Sequence, residues 1–331
     1  MNNTKTLSQA MLELDADKEI QSICQTLRQQ VGGKFKKRGV VVALSGGIDS
    51  SLVGALCVEA FGKDKVFGLL MPEQDSASDT LDLSRLVADH LGIPYEVEII
   101  TPTLESVGCY ARRDEAIATV IPEYTSEYKC KIVRPQIGEN SMFKVFSVVI
   151  ESPEGLVSRA RLTPSAYLQI VAATNFKQRV RKMLEYYHAD RLNYAVTGTP
   201  NRQEYDQGFF VKLGDGAADV KPIAHLYKTQ VYQLARHMGM PEAICMRPPT
   251  TDTYSMEQAQ DEFYFSVSYE KLDVCLYGLN HNLPIKDVAE AADMSIKQVE
   301  QVYQEIRSKR RATAYMHAMP RTAQDIPEIH H

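Results

Sequence analysis

Four short apolar runs spaced by helical stretches constrain this chain more than any other feature. They read GVVVAL (39–44), KVFGLLM (65–71), YEVEII (95–100) and LNYAVTG (192–198). Near-continuous runs of this kind, rich in valine and isoleucine, predict strands buried on both faces of a parallel sheet. Between them, 50–61, 78–91 and 166–189 carry apolar residues at helical spacing; Ser78 or Asp79 can cap the second, and Gly92 ends it. Upstream, Leu7, Met11, Leu12, Leu14, Ile20, Ile23 and Leu27 predict one or two helices leading into the first strand. Strand alternating with helix predicts an α/β protein with a doubly wound open parallel sheet, which binds ligands at the carboxyl ends of its strands.

Residues 124–164 break that alternation. KCKIVRPQI, MFKVFSVVIES and GLVSRARL are β-forming segments separated by Gly138-Glu139-Asn140-Ser141 and by Pro153-Glu154-Gly155. A small antiparallel meander inserted before the long helix is the expectation. The stretch 205–227, centred on GDGAADVKPIAH, lacks periodicity and predicts a long ordered loop. Residues 228–310 are helical again, interrupted at Arg247-Pro248-Pro249-Thr250-Thr251.

The first strand runs directly into Ser45-Gly46-Gly47-Ile48-Asp49-Ser50-Ser51. A strand that ends in a glycine pair and turns into a helix gathers free backbone N–H groups, hydroxyls and the positive end of a helix dipole around one point. Phosphate fits there. Asp49 in the same turn cannot bind phosphate, so its natural role is to hold Mg2+. The loop lacks the GKS or GKT of a Walker motif and the GxGxxG of a dinucleotide fingerprint. A bare SGG is equally a glycine-rich turn with Asp49 as its cap.

Bulk properties narrow the class further. With 37 basic and 42 acidic residues, net −5, the chain offers no global field for nucleic acid or an anionic membrane, so its anion site must be local. Six cysteines without a CxxC pair exclude a zinc ribbon and read as reduced thiols. No basic segment followed by an apolar one opens the chain and no long apolar run crosses it, so the cytoplasm is the expected location. His330-His331 has the look of a purification-tag remnant and carries no weight here.

SGGIDSS resembles the pyrophosphate loop of enzymes that cleave ATP between its α and β phosphates. Over roughly 15–125 and 165–320 the chain resembles ammonia-dependent NAD synthetases, on several separated motifs in the right order: NFKQRVRKMLEYYHA (175–189), TGTPNRQE (197–204), FFVKLGDGAADVKPIAHLYKTQV (209–231) and RPPT. The resemblance implies a single domain over 1–320 of the adenine nucleotide alpha hydrolase-like type. It implies ATP contacts at Ala43, Leu44, Ser45, Gly46, Gly47, Ile48, Asp49, Ser50, Thr199, Lys228 and Thr250, and Mg2+ at Asp49 and Glu204. Arg179, Lys212, Asp219 and Lys309 are the implied contacts to deamido-NAD, and Asp49 and Lys228 the catalytic pair.

The implied reaction activates the nicotinate carboxylate as an acyl adenylate, releases pyrophosphate, and lets ammonia displace AMP. Ammonia is expected to come from solution or from a separate glutaminase, since about 38 residues before the loop are too few for a domain of at least about 50. No enzyme nucleophile is required; Cys57 reads as a buried residue of the first helix. A homodimer is also implied by the resemblance alone.

The chain departs from the family's pattern at Pro200 after the glycine-threonine pair, at Ser308-Lys309 where a His-Lys is usual, and in 251–265, since no tryptophan occurs anywhere. Tyr205, Asp206 and Gln207 replace smaller residues. These changes leave open a ligase for a different carboxylic acid or a carrier-bound acid. The insertion reads as a surface hairpin or dimer contact in preference to a lid or docking surface. Residues 283–299, followed by IRSKRR, have helix-turn-helix spacing, yet the helical tail of the resembled family already accounts for them. His188, His225 and His237 lack ligand-spaced partners and read as polar surface or supporting residues.

Overall fold

The computed structural model describes residues 9–133, 146–249, 253–256, 258, 264–265, 267–324 and 326–328. The predicted runs form four parallel strands: β1 (Val40–Ala43), β2 (Val66–Leu70), β3 (Tyr95–Val97) and β7 (Ala195–Thr197), in the order β3-β2-β1-β7. Val40 pairs with Val66 on one side and Ala195 on the other, so β1 is central, and its apolar run is sealed by both neighbours. β2 is buried along its whole length.

Side chains alternate across the strands and divide the apolar residues between two faces. Val40, Val42 and Val66 pack with α1 (Ala16–Arg28), α2 (Ile48–Phe61), α3 (Thr80–Leu91), α8 (Lys228–His237) and α9 (Glu242–Cys245). Val41, Phe67, Leu69 and Val196 pack with α4 (Thr101–Ser106), α5 (Cys109–Ala118) and α6 (Pro164–Leu192). Helices on both faces of a parallel sheet are the doubly wound arrangement. α2 is covered by sheet and helices alike, which explains why its sequence is apolar nearly all round and why Cys57 is fully buried.

The boundaries shift where helices outcompete strands. α6 runs to Leu192 and is closed by Asn193 in the left-handed region (φ 54°), so the strand expected from 192 begins only at Ala195. β3 stops at Val97, although the amides of Glu98 and Ile100 still donate to Leu70 O and Pro72 O. α7 (Arg202–Gln207) extends into the start of the expected loop at 205–227, and Val220 of that loop makes a parallel bridge to Thr197. Gly208 ends α7 at φ 72°, and a Cβ there would lie 2.3 Å from Thr313, so glycine alone permits the close approach.

The insertion is a three-stranded antiparallel sheet, β4 (Lys129–Val133), β5 (Ser147–Glu151) and β6 (Val157–Arg161), in that order. Its second turn closes through Ser152 N to Leu156 O at 2.9 Å, with Gly155 at φ 82°; the expected turn at 138–141 lies outside the described residues. The C-terminal helices α10 (Tyr269–Asn280), α11 (Ile285–Ala291) and α12 (Ile296–Thr313) enclose an apolar core of their own. The helix pair at 285–313 buries Val288, Val299, Val302 and Ile306 in that core. No helix among the described residues is long and apolar enough to cross a membrane.

Candidate active site

The strand-to-helix turn behaves as its sequence predicts. Gly46 adopts φ 68°, and a Cβ on it would stand 2.6 Å from Leu83 Cβ, so both its conformation and its surroundings demand glycine. Gly47 is the N-cap of α2 and has no side chain to occupy the free amides. Ser50 Oγ donates to Gly47 O at 3.0 Å and accepts from Ser45 N at 3.2 Å, which fixes the loop's shape. Asp49 stands in the first turn of α2.

Three further elements converge on Asp49. Lys228, the first residue of α8, donates its ammonium to Asp49 Oδ2 although the lysine itself is almost wholly buried. Burial works against that charge, but Asp49 and Glu204 outweigh it and hold the lysine's pKa above its ordinary value. Asn201 is the N-cap of α7: its Oδ1 accepts from the amides of Gln203 and Glu204, while its Nδ2 donates to Asp49 Oδ1 at 3.1 Å. Glu204 closes the capping box by accepting from Asn201 N at 3.1 Å. Set deep in the protein, and with Asp49's charge nearby, the Glu204 carboxyl is pushed up to about 8.

Behind this group, Asp273 of α10 accepts from Lys228 N at 3.3 Å and Thr229 N at 2.8 Å, capping the start of α8 from another helix. Gln203 Nε2 also donates to it at 2.6 Å. Burial raises the Asp273 carboxyl to about 6, opposed by these donors.

Asp49, Glu204 and Lys228 open on a cavity of about 580 Å³ above the carboxyl ends of the strands. Ala43, Leu44, Ser45, Gly47, Ile48, Ser50 and Thr199 also line it, so the expected nucleotide contacts are brought together, with Gly46 in the turn between them. Thr250 lies outside the described residues. One long wall comes from successive turns of α6, from Tyr167 through Thr174, Gln178 and Arg181 to the buried pair Lys182–Glu185, joined at 2.6 Å.

The four residues expected at the acid substrate do not gather in that lining. Arg179 Nε donates to Lys212 O at 3.4 Å, and Lys212 Nζ donates to Tyr315 O at 2.8 Å and Ala318 O at 3.3 Å. Asp219 Oδ2 accepts from Val196 N at 2.7 Å, anchoring the 205–227 loop to β7. Lys309 pairs with Glu305 at 2.7 Å and lies 4.2 Å from the centre of the Tyr264 ring. His188 is buried against Phe67, and His225 and His237 pair with Glu19 and Asp17, all outside the cavity lining.

Sequence reasoning missed Asn201 and Asp273, and it missed a second buried group. Lys177 Nζ is held by Glu73 Oε1 and Asp75 Oδ2, each at 2.7 Å, while Arg113 reaches Asp75 at 2.5 Å and Tyr110 donates to Glu73 at 2.7 Å. The N-cap pattern of Asn201 three residues before Glu204 was a usable signal. Nothing in the sequence marks the others.

A glycine-pair turn at the carboxyl edge of a doubly wound sheet, with a buried lysine and two carboxylates at its mouth, defines a nucleotide-binding α/β enzyme of the ATP-cleaving type. A family model described as NAD synthase matches residues 19–120 and 112–313, and the chain belongs to that family. The NH(3)-dependent NAD(+) synthetase of Mesorhizobium japonicum is 58% identical over 318 residues, covering 96% of this chain and 100% of the relative. That of Rhizobium meliloti is 53% identical over 327 residues, covering 99% and 98%. Among solved structures, the NH3-dependent NAD synthetase of Campylobacter jejuni superposes with a TM-score of 0.61 at 23% identity, over 94% of this chain and 100% of that one. An NMN synthetase from Francisella tularensis gives 0.65 at 19% identity over 95% and 100%; at such identities the likeness speaks for the fold alone.

Proposed function

We propose that this chain converts deamido-NAD to NAD, using ATP and ammonia and releasing AMP and pyrophosphate. One observation carries the reading: the Asp49–Lys228–Asn201–Glu204 cluster sits at the mouth of the glycine-pair loop, in a chain alike along nearly its whole length to ammonia-dependent NAD synthetases.

The substrate carboxylate attacks the α phosphorus of ATP, the bond to the bridging oxygen breaks, and pyrophosphate leaves. Ammonia then attacks the acyl carbon, the bond to the AMP oxygen breaks, and the nitrogen loses a proton. The loop amides and the N-terminus of α2 hold the departing pyrophosphate, and Lys228 offsets its growing charge. Asn201 aligns Asp49, whose carboxylate would hold Mg2+ rather than phosphate. Positioning and charge neutralisation supply the catalysis, and no side chain needs to become covalently attached.

Mg2+ fits the donor set. Asp49 and Glu204 present hard oxygens on one cavity, and Glu204 is buried with Asp49's charge nearby. A bound ion supplies Lewis-acid polarisation of the phosphates. By the family resemblance Arg179, Lys212, Asp219 and Lys309 are the proposed contacts to the acid. The free, buried cysteines suit a reducing cytoplasm. Exposed Leu168, Met183 and Tyr187 on α6 support a homodimer, which a monomeric mass in light scattering would refute.

The test is AMP formation with deamido-NAD and ammonium against a panel of other carboxylic acids. Deamido-NAD is expected to be the preferred acid; preference for another acid selects the alternative ligase.

A further inference from the structure

The β4–β6 insertion takes no part in the chemistry above, yet Phe146 brings it to the cavity. Phe146, just before β5, stacks on Tyr167 of α6 with ring centroids 4.4 Å apart, and both rings line the cavity. Among the described residues β4 pairs with β5 alone as a strand, which leaves the backbone groups of its other edge to partners outside the sheet. Ser255, Met256 and Gln258 use that edge. Cys130 N donates to Ser255 Oγ at 2.9 Å, Met256 N donates to Cys130 O at 3.2 Å, and Gln258 Nε2 donates to Ile132 O at 2.6 Å.

The residues immediately before this contact face the nucleotide loop's cavity. Thr253 and Tyr254 line it, as do Arg247, Pro248 and Pro249. Tyr254 is buried in the insertion's own apolar core with Cys130, Ile132 and Ile170. Thr253 O accepts from Lys177 Nζ at 2.8 Å, and that ammonium is the one clamped between Glu73 and Asp75 just past the end of β2. Arg247 ties the start of the segment to the nucleotide loop and α3, donating to Ser45 O at 3.5 Å and to Asp79 at 2.9 Å.

We propose that the insertion is a docking frame for Thr253, Tyr254, Ser255, Met256 and Gln258, and that Ser255 and Gln258 are positioning residues for ATP, holding Thr253 and Tyr254 against the cavity. A segment already ordered before the nucleotide arrives spares binding the cost of ordering it. One backbone and two side-chain hydrogen bonds to the backbone of a sheet edge supply that order without adding to the chemistry. This role for the insertion differs from a surface hairpin, and it rests on the ATP reading of the cavity given above.

The test compares the unsubstituted chain with Ser255→Ala, Gln258→Leu, the pair together, and Ser255→Thr, which keeps the hydroxyl. These avoid Lys177, whose loss would leave buried carboxylates unpaired and endanger folding. The pair is expected to raise the Kd for ATP and the KM for ATP by at least about fivefold, with kcat and thermal midpoint little changed. Amide exchange at Met256 is expected to quicken, and Ser255→Thr to restore ATP affinity. An ATP Kd that stays the same in the pair, or that moves without faster exchange at Met256, overturns the docking role. A loss of thermal midpoint at unchanged ATP KM overturns it too, since that is the mark of a merely structural contact. Failure of the unsubstituted chain to bind ATP would instead overturn the reading of the cavity itself.

Discussion

Lys228 shows how much a single position depends on its neighbours. An isolated lysine with this little exposure would shed its proton, but Asp49 and Glu204 keep it charged. Lys228→Met is therefore expected to lower kcat by roughly 10²–10³-fold, the range seen when one charge-stabilising donor is removed, as read in steady-state AMP release. A kcat within a fewfold of the unsubstituted value would remove Lys228 from the machinery. Asp273 makes a pH prediction with a definite sign. Its carboxyl rises from 3.8 to about 6 on folding, so the folded chain keeps a proton that the unfolded chain gives up. Its contribution to stability therefore falls as pH climbs from about 3.8 to about 6 and levels off above. Asp273→Asn should flatten the pH dependence of the denaturation midpoint across that window; identical slopes would contradict it. Asp49 and Glu204 are legible because motif and spacing point to them. Glu73, Asp75, Arg113 and Lys177 are not, because an acid and a base far apart in the chain look like ordinary surface residues until folding buries them together.

At the scale of elements, periodicity reveals strands and helices, and capping decides where they end. β1 and β2 stand out because both faces are buried, which leaves an uninterrupted apolar run. β7 is shorter than its apolar run suggests because α6 persists to Leu192 and the chain must turn at Asn193. α7, only six residues long, escapes periodicity altogether and is visible only through its capping box. That cap joins structure to function, since Asn201 holds both the helix amides and Asp49. Asn201→Ala is expected to cost about 1–2 kcal/mol of stability and to weaken ATP binding as Asp49 loses its alignment. Calorimetric unfolding and ATP titration read the two effects separately. Lost stability with unchanged ATP affinity would confine Asn201 to capping.

For the whole molecule, the sheet provides one fixed edge, and everything placed there comes from segments distant in sequence. The nucleotide loop, α7, α8 and the α6 wall meet because parallel strands end together, which the strand-helix alternation already implies. The arrangement of the acid-binding residues is less legible. Arg179 and Lys212 touch each other beside the C-terminal segment, and Asp219 braces the loop against β7, so their order along the chain conveys little of their geometry. The central claim is that the acid's carboxylate cleaves ATP at its α phosphorus. The most direct measurement supplies deamido-NAD labelled with heavy oxygen in its carboxylate, together with ATP, magnesium and ammonium, and weighs the AMP. The account predicts one labelled oxygen in each AMP formed, whereas turnover that yields unlabelled AMP, or ADP in its place, would contradict it.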